Sequence, residues 1–233
     1  MTRRIATIVL AVATLVAAVS VPVAPRSWAT PDDDITLTFI RHGQSEGNTS
    51  GSIDTSTPGP GLTDLGWNQA HQVAADFADD GFDGVFASTM VRTQQTAEFL
   101  AEELHDPVDV LPGLREIEAG VYEGQPESAG AGFYDVLRQW ARGDRNARIP
   151  GSIDGNEFDA RFDGAVAAIH ATGDRRPVAF SHGGAIAPWT LMNAGNADPT
   201  LLEAEPLSNT GYVVVHGSPS AGWTLVDWNG VRV

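Results

Sequence analysis

The 233-residue sequence contains neither cysteine nor lysine. Without thiols it can build no disulfide scaffold and no thiolate metal site, and a cysteine nucleophile is excluded with them. Every positive side-chain charge therefore rests on arginine or histidine, a bias we assign to the base composition of the coding DNA. Positive charge is scarce altogether: 14 basic residues stand against 30 acidic ones, a formal net charge of −16. Nucleic acid and anionic membrane surfaces make poor partners for such a chain, because repulsion must be overcome before contact forms. A small anion meets the same field, but surface charges are screened beyond about 8 Å at physiological salt, so a local arginine cluster can outweigh them. Hydrophobic residues make up 42% of the chain, enough for a sizeable core.

Only one long apolar run is present, residues 5–23, preceded by Arg3 and Arg4 and followed by Ser27-Trp28-Ala29. Basic start, apolar middle and small residues at the end are the parts of a secretory leader, so cleavage is expected after Ala29 and the working chain is residues 30–233, exported from the cytoplasm. An uncleaved N-terminal anchor is the alternative, since about 19 apolar residues approach the length of a membrane span. After cleavage no integral membrane span is expected. The Ile-Ala-Thr that follows Arg3-Arg4 fits twin-arginine export poorly.

Beyond residue 34 the pattern alternates, and no repeat or linker interrupts it. Residues 35–40, 84–87 and 177–180 read as short buried strands, and residues 63–77, 93–104 and 184–192 as helices with apolar faces. Residues 212–215 and 223–226 read as a terminal strand pair. This predicts an α/β fold: a single three-layer domain with a mostly parallel central sheet and helices on both faces. Ligands of such sheets sit at the carboxyl ends of the strands. Those ends deliver Arg41-His42-Gly43, then Ser88 with Arg92 one turn later, and Ser181-His182-Gly183-Gly184. Two arginines and two histidines converging at helix starts suit a phosphoryl group. The glycines would let ligand oxygens approach the backbone. The remaining histidines carry less: His71 within a helix, His105 in a loop, His170 near a helix end, and His216-Gly217 in an expected hairpin turn. No His-x-x-x-His pair offers a zinc site.

These residues resemble the histidine phosphatase superfamily, which includes phosphoglycerate mutases and many phosphomonoesterases. The segment from Arg41-His42-Gly43 to Asn48 looks like its RHGxTxxN signature, with Ser45 in place of threonine. Leu62-Thr63 to Ala70 resembles LTxxGxxQA, and Ser88 to Ala97 resembles SxxxRTxQTA. Arg115-Glu116-Ile117 to Gly124 looks like REIxxGxxEG, while Gly155-Asn156-Glu157 with Arg161 is a looser match to GES…R. Phe180-Ser181-His182-Gly183-Gly184 and Asn209-Thr210-Gly211 complete the series, in order, over nearly all of residues 30–233.

The resemblance implies His42 as a nucleophile that carries the phosphoryl group. It further implies Arg41, Arg92 and His182 as catalytic groups holding the non-bridging oxygens, with Asn48 and Gly183 completing the substrate-binding set. Glu116 would protonate the leaving oxygen, its pKa raised by burial. In an extended segment Glu118 points to the same side, so only the family register favours Glu116. No metal or cofactor is implied, and the expected partner is a small-molecule phosphomonoester. Residues 49–61 carry no basic side chain, and mutases use a lysine that this chain lacks, so a phosphatase is favoured over a mutase. Arg138, Arg142, Arg145, Arg148 and Arg161 fall where the family varies its recognition elements, and each reads as either a solvated side chain or a contact for a second anionic group.

Two other readings compete. Ala179-Phe180-Ser181-His182-Gly183 fits a relaxed nucleophile elbow, and Asp198 and His216 follow in the order a serine esterase uses. Against this, Arg41, His42 and Arg92 would go unexplained. The other is a non-catalytic member of the phosphatase fold that merely binds an anion.

Overall fold

A computed structural model describes residues 33–233; the expected leader, residues 1–29, lies outside the described residues. Strand β1 (Ile35–Arg41) has side chains buried on both its faces. It pairs in parallel with β4 (Val178–Ser181), and β4 pairs in parallel with β2 (Val85–Ala87). Strand β3 (Val108–Val110) extends that parallel edge. On the other side of β1 the chain closes the sheet with β5 (Tyr212–Ser218), β6 (Gly222–Trp228) and β7 (Val231–Arg232), all antiparallel to their neighbours. The order is β3-β2-β4-β1-β5-β6-β7, so β1 to β4 and β6 share one direction and only β5 and β7 oppose it.

The period-two alternation of β1 sends successive residues to opposite layers. Ile40 joins Val85, Ala87, Val178 and Phe180 against α2 (Asp64–Phe77) and α3 (Val91–Leu104), through Val73, Ala74, Ala97 and Leu100. Leu37 and Phe39 instead meet α4 (Ala131–Ala141), α5 (Gly155–Thr172) and α6 (Gly183–Asn193). Aromatic rings dominate this second layer: Phe39 lies 5.3 Å from Trp189 and 5.5 Å from Phe162, centroid to centroid. Each such pair adds about 0.5–1.5 kcal/mol beyond its buried area, which helps hold the site-bearing strand against α5 and α6. Two of the long helices start where polar residues satisfy free N–H groups. Thr63 caps α2 by accepting from Gly66, and Asp154 with Glu157 forms a capping box on α5.

Several boundaries differ from the expected ones, three of them with consequences. Helix α3 begins at Val91 rather than residue 93, because buried Met90 serves as its N-cap without any side-chain hydrogen bond. That places Arg92 inside the first turn. Helix α6 begins at Gly183, with His182 as its N-cap. His216 and Gly217 lie within β5, not in a turn; the chain reverses at residues 219–221, and the β5–β6 register shifts between Val214 and Val215. Between β3 and α5 the chain forms tight turns at Pro112–Leu114, Gly120–Tyr122 and Glu127–Ala129 and then α4. The short α1 (Glu46–Ser50) follows β1, and α7 (Leu201–Ala204) precedes β5. Among the described residues no helix is long and apolar enough to cross a membrane.

Candidate active site

Strand register brings the two principal histidines together. Arg41 faces Ser181 across the parallel β1–β4 pair, so His42 and His182 leave the sheet side by side. Their ring centroids are 5.1 Å apart. Phe180 is paired with Ala87 on β2, and the next residue, Ser88, donates its backbone N–H to the Phe180 carbonyl. From there α3 lifts Arg92 over His42. Three strand ends thus deliver Arg41, His42, Ser88, Arg92 and His182 to one place.

The hydrogen bonds define the protonation of His42. Its Nδ1 lies 2.7 Å from the Gly43 carbonyl, which can only accept, so Nδ1 carries the proton and Nε2 keeps its lone pair. Arg92 Nε donates to that Nε2 at 3.2 Å. Burial, reinforced by the charges of Arg92 and Arg41, holds the imidazole well below its ordinary pKa. His42 is therefore a neutral imidazole whose Nε2 carries no proton and accepts from Arg92.

His182 has no exposed surface, and burial, followed by Arg92, likewise lowers its pKa well below the usual value. Its Nε2 meets Ser88 Oγ at 2.9 Å; Ser88 Oγ meets Thr93 Oγ1 at 2.8 Å, which reaches the Met90 carbonyl at 2.8 Å. This chain can run in one direction, from an Nε2–H through two hydroxyls to a carbonyl, so it accommodates a proton on Nε2. Nδ1 of His182 has no partner, nor do Arg41 Nε and Arg92 Nη1, although all three atoms are buried. The orphaned N–H groups of the two guanidiniums form a cradle for an anion beside His42 Nε2, because such groups are costly to bury without one, and His182 Nδ1 becomes a third donor when a bound anion draws a proton onto that ring.

The cradle opens into a cleft of about 590 Å³ lined by Arg41, His42, Asn48, Arg92, Glu116, Gly183 and Gly184, among others. Glu116 faces it from the segment after the Pro112–Leu114 turn. Its Oε1 accepts from Ile117 N at 2.9 Å and its Oε2 from Gly184 N at 3.2 Å. Burial raises its pKa above the ordinary carboxylate value against the pull of Ile117 N–H, Arg92 and Arg41. Glu118 turns the other way. Arg115 Nε donates to it at 2.9 Å, and although burial would raise its pKa, its own backbone N–H and Arg115 bring it below the usual range. The geometry thus separates two carboxylates that periodicity left equivalent.

Asn48 lines the cleft, but its Oδ1 is occupied by Ser45 N at 3.0 Å and Asn209 Nδ2 at 3.2 Å. Asn209 Nδ2 also reaches the His42 carbonyl at 3.1 Å, tying the last strands to the loop that follows β1. Gly183 lies against Arg41: a Cβ there would sit 3.2 Å from Arg41 Cδ. Of the arginines between 138 and 161, only Arg138 lines the cleft, and it is bound to Asp135 and Glu203. Arg142 pairs with Glu203, Arg145 with Asp159, and Arg148 with Asp154 and Glu157. Arg161 instead lies beneath the Glu116 segment and donates to the carbonyls of Gly113, Arg115 and Glu116. Sequence reasoning missed the linking roles of Ser88, Thr93, Asn209 and Arg161. Polar residues at the carboxyl ends of strands were the available signal for Ser88 alone.

The serine esterase reading fails on position. Ser181 is wholly buried and donates to the Leu114 carbonyl at 2.7 Å. His216 is paired with Thr36 at the opposite end of β1, roughly 16 Å along the strand from Arg41, and Asp198 is bonded to Thr200. No triad can form. Among the described residues no cluster of His, Asp and Glu is arranged to hold a metal ion.

The family model for the histidine phosphatase superfamily (branch 1) matches residues 37–230. A PE-PGRS family protein of Mycobacterium tuberculosis is 43% identical over 216 residues, which is 85% of this chain; the chain spans 37% of that relative's length. A probable phosphoglycerate mutase of Yersinia pestis is 31% identical over 150 residues, 64% of this chain and 69% of that protein. Among solved structures, a mycobacterial glucosyl-3-phosphoglycerate phosphatase superposes with a TM-score of 0.70 at 23% identity, covering 85% of this chain and 100% of that one. A phosphoserine phosphatase of Entamoeba histolytica, in complex with 3-phosphoglyceric acid, gives a TM-score of 0.67 at 23% identity over 84% of this chain and 98% of its own.

Proposed function

Because the chain belongs to the histidine phosphatase superfamily, we propose that it is a phosphomonoesterase whose reaction passes through a phosphohistidine on His42. The observation that carries this reading is the set of buried, unpartnered nitrogens of Arg41, Arg92 and His182 beside a neutral His42 whose Nε2 carries no proton. A phosphoryl dianion supplies the acceptors those nitrogens lack.

In the first step Nε2 of His42 bonds to phosphorus as the bond from phosphorus to the ester oxygen breaks. The two guanidinium groups and His182 hold the non-bridging oxygens, where charge spreads in the transition state. Glu116, its pKa raised by burial, gives its proton to the departing alcohol. In the second step water attacks phosphorus and yields a proton to the Glu116 carboxylate, the bond from phosphorus to nitrogen breaks, and phosphate leaves. Ester and water become alcohol and phosphate, with His42 and Glu116 restored. None of these steps draws on a metal or cofactor. Hydrolysis rather than phosphoryl return to a second substrate is supported by residues 49–61, which bring no basic side chain to the cleft. We place the reaction outside the cytoplasm on the leader-like residues 1–29.

The test is direct. Protein mixed briefly with a radiolabelled phosphomonoester in EDTA and quenched in alkaline detergent should carry label that survives base and is lost in acid, as a phosphoramidate does. His42→Ala should lose both label and turnover, by on the order of 10⁴-fold or more. Turnover that requires added metal, or label on Ser181, would overturn the mechanism. An anion-binding protein without activity would show vanadate binding but no label. N-terminal sequencing of the exported protein should begin at Thr30.

A further inference from the structure

The floor and the outer wall of the cleft carry opposite charge. Beyond the arginine and histidine cradle, the wall presents Asp54, Glu127 and Glu203, with Phe133, Tyr134 and Leu202 between them. The one cation on that wall, Arg138, is spent on Asp135 and Glu203, the latter at 2.9 Å. Glu127 differs from the other two acids. It sits on the exposed turn Glu127–Ala129, and among the described residues its carboxylate makes no hydrogen bond or ion pair. It lines the same cleft as Arg41 and Tyr134, its charge bears on both, and Tyr134 is 42% exposed.

We infer that the substrate is the phosphate monoester of an amino alcohol, whose ammonium or quaternary nitrogen lies against Glu127 and the face of Tyr134 while its phosphoryl group occupies the cradle. This rests on the phosphatase reading and specifies the leaving group of that same site. A cation on the leaving group gains from the unpaired carboxylate, and from the aromatic ring if it approaches the ring face. A carboxylate on the leaving group meets like charge on the wall and finds no free arginine, a repulsive arrangement that selects against it. A neutral polyol gains nothing from Glu127. The field of the whole chain, with its formal charge of −16, acts in the same sense. Phosphoethanolamine brings about one net negative charge to the mouth where phosphoglycerate brings about three, so its approach is the less opposed.

The experiment compares kcat/KM of the full chain for phosphoethanolamine, phosphocholine, glycerol phosphate and 3-phosphoglycerate, with p-nitrophenyl phosphate as a reference free of either charged group. The ammonium esters should exceed glycerol phosphate about tenfold and phosphoglycerate about a hundredfold. Glu127→Gln should draw the ratio of phosphoethanolamine to glycerol phosphate toward one, and Glu127→Lys should raise phosphoglycerate relative to both. Hydrolysis of p-nitrophenyl phosphate with glycerol phosphate or phosphoglycerate preferred would overturn this inference and leave the phosphatase reading standing. A Glu127→Gln protein that slows every ester by one factor would also overturn it, since Glu127 would then act on Arg41 and not on the leaving group. Failure to hydrolyse any of the esters, with no labelled His42, would bring down the phosphatase reading itself.

Discussion

Glu116 and Ser88 define what single side chains do in this site. Glu116 is fixed by two backbone N–H groups, which orient the carboxyl without removing its raised pKa. Activity then needs Glu116 protonated and His42 neutral, so kcat/KM should be highest on the acid side of neutrality and fall on the alkaline limb as Glu116 ionises. Glu116→Gln should cost about 10²–10⁴-fold on alkyl esters. With p-nitrophenyl phosphate, whose leaving group departs without a proton, the same variant should release a burst of nitrophenolate and then turn over slowly, because the water step has lost its base. Equal losses on both kinds of ester, without a burst, would remove Glu116 from proton transfer. Ser88→Ala strands the buried Nε2 of His182, a loss of about 1–3 kcal/mol. A fall of roughly tenfold or more in kcat/KM, with vanadate binding weakened in parallel, is expected.

At the scale of elements, the start of α6 and the segment after β3 act as a pair. A Cβ on Gly184 would stand 2.8 Å from Glu116 Oε1, so Gly184→Ala should displace the acid while leaving the arginine cradle in place. The expected signature is slower hydrolysis of alkyl esters, a smaller effect on p-nitrophenyl phosphate and little change in vanadate affinity. These contacts also show what the sequence could and could not reveal. Strands β1, β2 and β4 and the helices behind them were legible, because apolar periodicity is a local property and the polar residues at their ends stand out against it. Arg41, His42, Arg92 and His182 followed from that alone. The choice between Glu116 and Glu118 did not, since two alternate residues of an extended segment are equivalent until tertiary neighbours such as Gly184 and Arg115 distinguish them. His216 was misplaced for a related reason: His-Gly reads as a turn locally, but pairing of His216 with Thr224, of Gly217 with Trp223, and of both with β1 extends the strand through them. Helix α4 carries an apolar face of Phe133, Val136, Leu137 and Trp140 whose spacing marks a helix but says nothing of the site; only packing against α6 and the Arg138–Glu203 pair brings it there.

The whole molecule answers to pH through the same buried groups. His42 and His182 have lowered pKa values in the fold, whereas an unfolded imidazole binds its proton near pH 6.5. Below that pH the unfolded chain takes up more protons than the folded one, so the two histidines withdraw stability as the solution is acidified. Glu116, with its raised pKa, works in the opposite sense, because the folded state then holds the extra proton. Two groups against one predict that the denaturant midpoint of the empty protein falls between pH 7 and pH 5.5. Inorganic phosphate should lessen the fall, since a bound anion favours the charged imidazoles; a midpoint that rises on acidification would contradict this account. The register of β1 against β4 carries a different consequence. His42 and the cradle ride on strand tips whose spacing is set by main-chain pairing, whereas residues 127–138 and 202–207 of the outer cleft lie outside the sheet. On the proposed reaction, chemistry and selectivity are therefore separable parts: exchanging the outer segments for those of a relative should redirect hydrolysis to another ester while the strand-tip site stays untouched.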